Sequence, residues 1–262
     1  NHAAYGDLNN DGNKDIIVSV TRDNPYYEGA YIQVLLGDGH GNLSDVTSTN
    51  FVEQPREKNH HGESNIYLRD FEGDGDLDIF HSTRDFSSNL HENSDLEPRN
   101  SELYVINIKT KKIKVLTKRK GPDFSPLVSH DKSKIAYLGF DEKYLGYQQN
   151  DLYIMSRDGK NIQNISKNFD RNISNIKWAK DGRGLYFQYD DKGMTKLAYI
   201  SSTGKVKDIV NQLGGLSIGR PYSGTSFSVS KNDRYAFTFG NVYNPSDLAV
   251  GFNGRYNRLT FL

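Results

Sequence analysis

Two short acidic stretches carry the chain's most specific chemistry. Asp7, Asn9, Asp11 and Asp15 supply side-chain oxygens at positions 1, 3, 5 and 9 of a loop, with Gly12 at position 6 and the Asn13 carbonyl at position 7. Asp70, Glu72, Asp74, Asp76 and Asp78 repeat the spacing, with Gly75 at the turn. Ca²⁺ takes six to eight hard oxygens, and a glycine at the sharp bend lets a short loop aim them inward. Position 12, which in an EF-hand is a bidentate glutamate, is Val18 in the first loop and His81 in the second. An apolar strand, not a helix, follows each loop: Ile16-Ile17-Val18 and Ile79-Phe80. The pattern predicts two strand-loop-strand calcium sites. Without metal, the carboxylates crowded into each loop repel one another, so calcium is expected to stabilise the fold and to take no part in catalysis.

Two further motifs raise catalytic possibilities that their surroundings weaken. Gly215-Leu216-Ser217-Ile218-Gly219 fits G-x-S-x-G, the nucleophile elbow. An elbow needs a helix after the serine, and Arg220-Pro221-Tyr222-Ser223-Gly224 is poor helix material. The hydrolase order also needs a histidine after the serine. All seven (His2, His40, His60, His61, His81, His91, His130) precede Ser217. His60-His61 would point to opposite sides of a strand, with no third ligand at a metal-site spacing. The reading is therefore no catalytic residue and no cofactor besides Ca²⁺.

The elements that must position these loops are short strands. Period-two or β-branched runs recur at Asp15 to Val20, Tyr31 to Leu36, Ser101 to Ile108, Lys134 to Leu138, Asp151 to Met155, Gly184 to Tyr189, Lys196 to Ile200, Arg234 to Phe239 and Asp247 to Val250. Asp11-Gly12, Asp38-Gly39, Asp158-Gly159, Asp181-Gly182 and Asn253-Gly254 mark turns between them. The segments SPLVSHDKSKIAYL, NIKWAKDGRGLYFQ and FSVSKNDRYAFTF align on Asp131, Asp181 and Asp233, at steps of fifty and fifty-two residues. A second pattern aligns on Leu103, Leu152, Leu197 and Leu248. Repeats of about 40 to 50 residues with four strands each are the propeller period. The fold expected is all-β, a propeller of about five four-stranded blades spanning 1–55, 65–117, 125–166, 173–210 and 220–262, as an incomplete or fragmentary ring. Trp178 is expected in the core, and the lysine-rich run Lys109 to Lys120 on an edge strand, where lysines block unwanted pairing.

Composition narrows the partners. The 262 residues carry 33 basic and 33 acidic side chains, for a net charge of zero. That argues against a nucleic-acid partner. No apolar run reaches the ~20 residues of a membrane span. The absence of cysteine excludes disulfides, Cys-ligated zinc and a thiol nucleophile.

Residues 1 to about 88, through GDLNNDGNKDIIV, IQVLLGDGHGNLSDVT and NIYLRDFEGDGDLDIFHSTRD, resemble FG-GAP/VCBS repeats, the calcium-loop blades of integrin-like propellers. Residues from about 97 to 262 resemble the N-terminal propeller of prolyl-oligopeptidase-class serine peptidases, in the acylaminoacyl- and dipeptidyl-peptidase branch, and TolB-type repeats. EPRNSELY, KIAYLGFDEKYLGYQQNDLYIMSRDG, FDRNISNIKWAKDGRGLYFQYDDKG and GGLSIGRPYSG carry that second likeness. The expected division is 1–96 and 97–262, with the seam near 89–96 inside one blade, so that one continuous propeller is permitted. The second resemblance implies a non-catalytic gate whose parent adds a C-terminal α/β-hydrolase domain, with a peptide as substrate. The first implies an extracellular or periplasmic binding module for a protein or glycan ligand. Calcium loops of the first kind also point to an extracellular or periplasmic location.

Overall fold

The short alternating runs become strands throughout. The structure, a computed structural model, describes residues 3–9, 11–23, 27–46, 65–69, 78–83, 100–106, 113–215, 225–241 and 243–261. Every regular element among them is a strand, and these form five four-stranded antiparallel sheets of consecutive strands. The first sheet holds β1 (Ala3–Gly6), β2 (Asp15–Asp23), β3 (Tyr27–Gly37) and β4 (Leu43–Asp45). The second holds β5 (Asn65–Arg69), β6 (Asp78–Thr83), β7 (Glu102–Ile106) and β8 (Ile113–Val115). The third holds β9 (Asp123–Val128), β10 (Lys134–Gly139), β11 (Asp151–Ser156) and β12 (Gln163–Asn164). The fourth holds β13 (Ser174–Trp178), β14 (Gly184–Asp191), β15 (Met194–Ser201) and β16 (Val206–Leu213). The fifth holds β17 (Phe227–Val229), β18 (Tyr235–Asn241), β19 (Asn244–Phe252) and β20 (Arg255–Arg258). These are the five expected blades. No sheet takes strands from both ends of the described chain.

Packing divides the chain into two units: Asn1–Pro126 with Gly139–Leu145 and Arg157–Lys160, and Leu127–Leu138 with Gly146–Ser156 and Asn161–Leu262. In the first unit, β1 and β2 lie beside β5. Leu8, Ile17, Val34, Leu103 and Val105 are buried there. β8, which lies within the lysine-rich run, is an edge strand, and Lys114 Nζ reaches the Asp158 carbonyl at 2.8 Å.

In the second unit, one face of the fourth sheet presents Leu197, Val210 and Leu213 to Phe227, Tyr235, Phe237 and Ala249 of the fifth. Its other face holds Phe187 and Tyr189 edge-on to Phe169. Trp178 is a core residue, 4% exposed, and its indole N–H donates to the Leu127 carbonyl at 2.8 Å.

The turns confirm the repeat and correct one register. Ser129 N–H, Ala179 N–H and Ser230 N–H open equivalent hairpin turns by donating to Lys134, Gly184 and Arg234. Positive φ falls three residues on, at Lys132, Gly182 and Asp233. The Ser129 hydroxyl donates to Asp131, and the Ser230 hydroxyl to Asn232. The structural counterpart of Asp131 and Asp181 is thus Asn232 rather than Asp233. The third turn closes one residue earlier, which shifts an alignment made on the aspartates alone.

Candidate calcium loop and the clasps between strands

The first acidic loop closes the β1–β2 hairpin, whose last pair is Gly6 with Asp15. Its side chains fold back on its own backbone. Asp7 accepts the N–H of Asp11 at 3.1 Å and of Gly12 at 2.9 Å. Asn9 Oδ1 also accepts the Asp11 N–H, and the Asn9 amide donates to Asp11 at 2.9 Å. Asp11 accepts the Asn13 N–H at 2.8 Å. The bend at Gly12 has φ +87, a left-handed conformation that glycine adopts without strain. The hydrogen bond from the Asn13 N–H, and then that from the Asn9 amide, hold the exposed Asp11 carboxyl below the usual carboxylate range. The Asn13 side chain lies against Gly39 in the β3–β4 turn.

Asp15 is placed differently from the others. It is fully buried. One carboxylate oxygen accepts the Leu8 N–H at 2.6 Å and the other the Gly37 N–H at 2.9 Å. Gly37 is required there, because a Cβ would run into the Lys14 carbonyl. Asp15 thereby ties the loop to the end of β3, and each of its oxygens keeps a second lone pair.

The second loop lies between β5 and β6, whose matching pair is Arg69 with Asp78, so the two loops have equal length. Asp70, Glu72, Asp74 and Asp76 lie outside the described residues, as do His60, His61 and Ser217. Asp78 opens β6. In the G-x-S-x-G stretch, Gly215 is described, and its carbonyl accepts the Ser246 hydroxyl. The donor set of the first loop is all hard oxygen and suits calcium in kind. Among the described residues, no three acidic or histidine side chains converge to hold a metal.

A second constellation escaped the sequence reading. Thr117 Oγ1 accepts the Leu103 N–H at 2.9 Å and donates to Glu102 at 2.6 Å. Ser166 Oγ accepts the Leu152 N–H at 2.8 Å and donates to Asp151 at 2.9 Å. Thr260 Oγ1 accepts the Leu248 N–H at 2.9 Å and donates to Asp247 at 2.9 Å. In each case the residue before the hydroxyl donates its N–H to the same leucine's carbonyl. The clasp pins the chain leaving a sheet's last strand to its third strand, at the start of β7 and β11 and in the middle of β19. The sequence shows the leucine repeat, but its local pattern does not join the acid before each leucine to the distant hydroxyl. The fourth sheet has Lys196 where the others have an acid, and Lys196 pairs with Asp191 at 3.0 Å instead.

Comparison with known proteins agrees with this architecture. Residues 7–81 match the FG-GAP-like repeat. The chain is 33% identical over 87 residues to the "Probable dipeptidyl-peptidase 5" of Aspergillus clavatus, covering 33% of this chain and 12% of that protein. It is 25% identical over 146 residues to the dipeptidyl-peptidase 5 of Schizosaccharomyces pombe, covering 55% of this chain and 20% of that one. Among solved structures, a puromycin-hydrolyzing peptidase of Mycobacterium tuberculosis superposes with TM-score 0.65 at 11% identity, over 100% of this chain and 37% of its own. The Pyrococcus horikoshii acylaminoacyl peptidase gives TM-score 0.61 at 15% identity, over 99% and 38%. TolB from Acinetobacter baumannii gives 0.56 at 16%, over 93% and 52%. The fold is a β-propeller fold, and it resembles the propellers of prolyl-oligopeptidase-family peptidases and TolB. The chain spans a fifth or less of the two curated relatives' length. No helix is long and apolar enough to cross a membrane among the described residues.

Proposed function

We propose that this chain is the calcium-stabilised, non-catalytic propeller of a larger serine peptidase, admitting peptide substrates to a C-terminal α/β-hydrolase domain that lies outside it. The observation that carries the reading is coverage: the acylaminoacyl peptidase of P. horikoshii matches 99% of this chain with 38% of its own. The likeness to dipeptidyl-peptidase 5 points the same way. Calcium would be held by Asp7, Asn9, Asp11, Asn13 and Asp15 in one loop and by Asp70, Glu72, Asp74, Asp76 and Asp78 in the other. It supplies charge neutralisation to crowded carboxylates, which is stability rather than chemistry. The FG-GAP-like match at 7–81 favours an extracellular or periplasmic setting. It also supports a second reading, a module that binds a protein or glycan.

Two measurements separate these readings. The chain alone, treated with a fluorophosphonate probe, is expected to remain unlabelled, and Ser217→Ala to change nothing. Labelling lost in that variant would make it a hydrolase in its own right. In the full-length parent, deleting these blades is expected to let the enzyme cleave long or folded substrates that it otherwise excludes. Unchanged size selectivity would remove the gating role and leave the binding module.

A further inference from the structure

The leucine repeat breaks at its last member. Leu103, Leu152 and Leu197 are 0% exposed, whereas Leu248, their counterpart in the fifth sheet, is 43% exposed. The contact between the fourth and fifth sheets shows why. Residues paired across neighbouring strands share a face. Leu197 therefore lies with Tyr186 and Val210 on the face of the fourth sheet that Tyr235 and Phe237 of the fifth cover. Leu248 lies with Ala236, Val250 and Phe252 on the face of the fifth sheet turned away from the fourth. Leu259 continues β20 beside Leu248, to whose carbonyl its N–H donates at 2.7 Å. Val250, Phe252 and Leu259 are exposed as well. The same face hollows into an open groove lined by Ser228, Ala236, Val250, Phe252, Arg255 and Asn257.

The rim of this face is cationic. Arg234 sits 5.6 Å over the Phe252 ring, and Arg255 pairs with Phe252 across the turn. Neither guanidinium has a carboxylate partner among the described residues, and the N–H of Lys231 in the adjoining turn has no hydrogen-bond partner among them. The counterpart of Lys231 in the fourth sheet is Lys180, whose N–H donates to Asp233 of the fifth sheet at 2.9 Å. At that contact the incoming sheet brings a carboxylate to the turn of the sheet that receives it. A second copy of this chain, meeting the face through the same face, would bring like charges together instead.

We infer that the Leu248 face is an internal interface, covered in the parent protein by a further four-stranded sheet of this repeat that brings a carboxylate to Arg234 and the Lys231 N–H. Such a sheet buries Leu248 as the fifth sheet buries Leu197. Its carboxylate gives the guanidinium the partner that burial of a charge requires. The inference rests on the reading of this chain as part of a larger protein, and not on substrate gating.

The chain has no cysteine, so Val250→Cys and Leu248→Cys each place a single thiol of this chain on the face. Maleimide labelling of that thiol, read by peptide mass spectrometry, is expected to be about tenfold or more slower in the full-length parent than in the 262-residue chain, because thiol reactivity follows access. Adding Arg234→Glu is expected to restore labelling in the parent and to change nothing in the chain. A benzophenone maleimide on the same thiol in the parent is expected to cross-link to a strand of the covering sheet. Equal labelling in chain and parent for both variants, or cross-links that land in the hydrolase domain, would overturn the inference. Protection that grows in the chain alone as its concentration rises would also overturn it, by making a second copy the occupant. Parent labelling that Arg234→Glu leaves unchanged would overturn the assigned carboxylate. A parent that fails the size-selectivity test alters none of these outcomes, because they report packing rather than substrate admission.

Discussion

Asp15→Ala lowers stability by about 3–5 kcal/mol in chelator, and by more in calcium, where a proposed ligand is lost as well. The carboxylate is fully buried and accepts two backbone N–H groups, from Leu8 and Gly37. Removing it strands both donors, and each unsatisfied buried donor costs about 1–3 kcal/mol. The loss in chelator needs no metal, because both hydrogen bonds form within the chain. Asp15→Asn keeps one acceptor oxygen and should recover part of the deficit. Asp11 provides the contrast, since it is exposed and bonds only within its loop. Asp11→Ala is expected to cost stability in calcium and little in chelator. Chemical denaturation of the two variants under both conditions checks this. A loss in Asp15→Ala that vanished in chelator would mean that its role is metal binding alone.

Ser166→Ala carries the next largest expected loss, about 2–4 kcal/mol. Ser166 is 1% exposed, and its hydroxyl is both acceptor for Leu152 N–H and donor to Asp151. Alanine leaves a buried donor and a carboxylate oxygen without that partner. Ser166→Thr is expected to stay near wild type, because Thr117 and Thr260 do the same work in their sheets. Urea midpoints for the two variants give the answer. Equal losses in both would show that side-chain volume, not the hydroxyl, governs the position.

The five sheets were legible because turn chemistry and period-two runs act locally. Asn253-Gly254 takes two consecutive positive φ values and joins Phe252 to Arg255, as that dipeptide predicts. Lys192-Gly193 makes a similar turn with a less distinctive first residue, and only the glycine hints at it. The acidic loop was legible as a donor set, but its internal arrangement was not. That Asp15 would bind Leu8 and Gly37 depends on β3 returning alongside, a contact twenty-two residues away in sequence. The clasps were hidden for the same reason. Each joins an acid-leucine pair to a hydroxyl twelve to fifteen residues on, and only the strand register reveals the meeting. The misplaced Asp233 shows the opposite hazard, a residue match chosen over turn geometry.

The measurement that bears most directly on a calcium-stabilised, non-catalytic propeller is thermal unfolding of the purified chain in calcium and in EDTA, with Asp11→Ala and Asp74→Ala alongside. Calcium at 100-fold over its dissociation constant should add about 2.7 kcal/mol for each occupied loop. The account predicts a calcium-dependent rise in the unfolding temperature, reduced by each substitution. An unfolding curve that calcium does not move, in the unmutated chain, would contradict it and leave both loops as plain acidic turns.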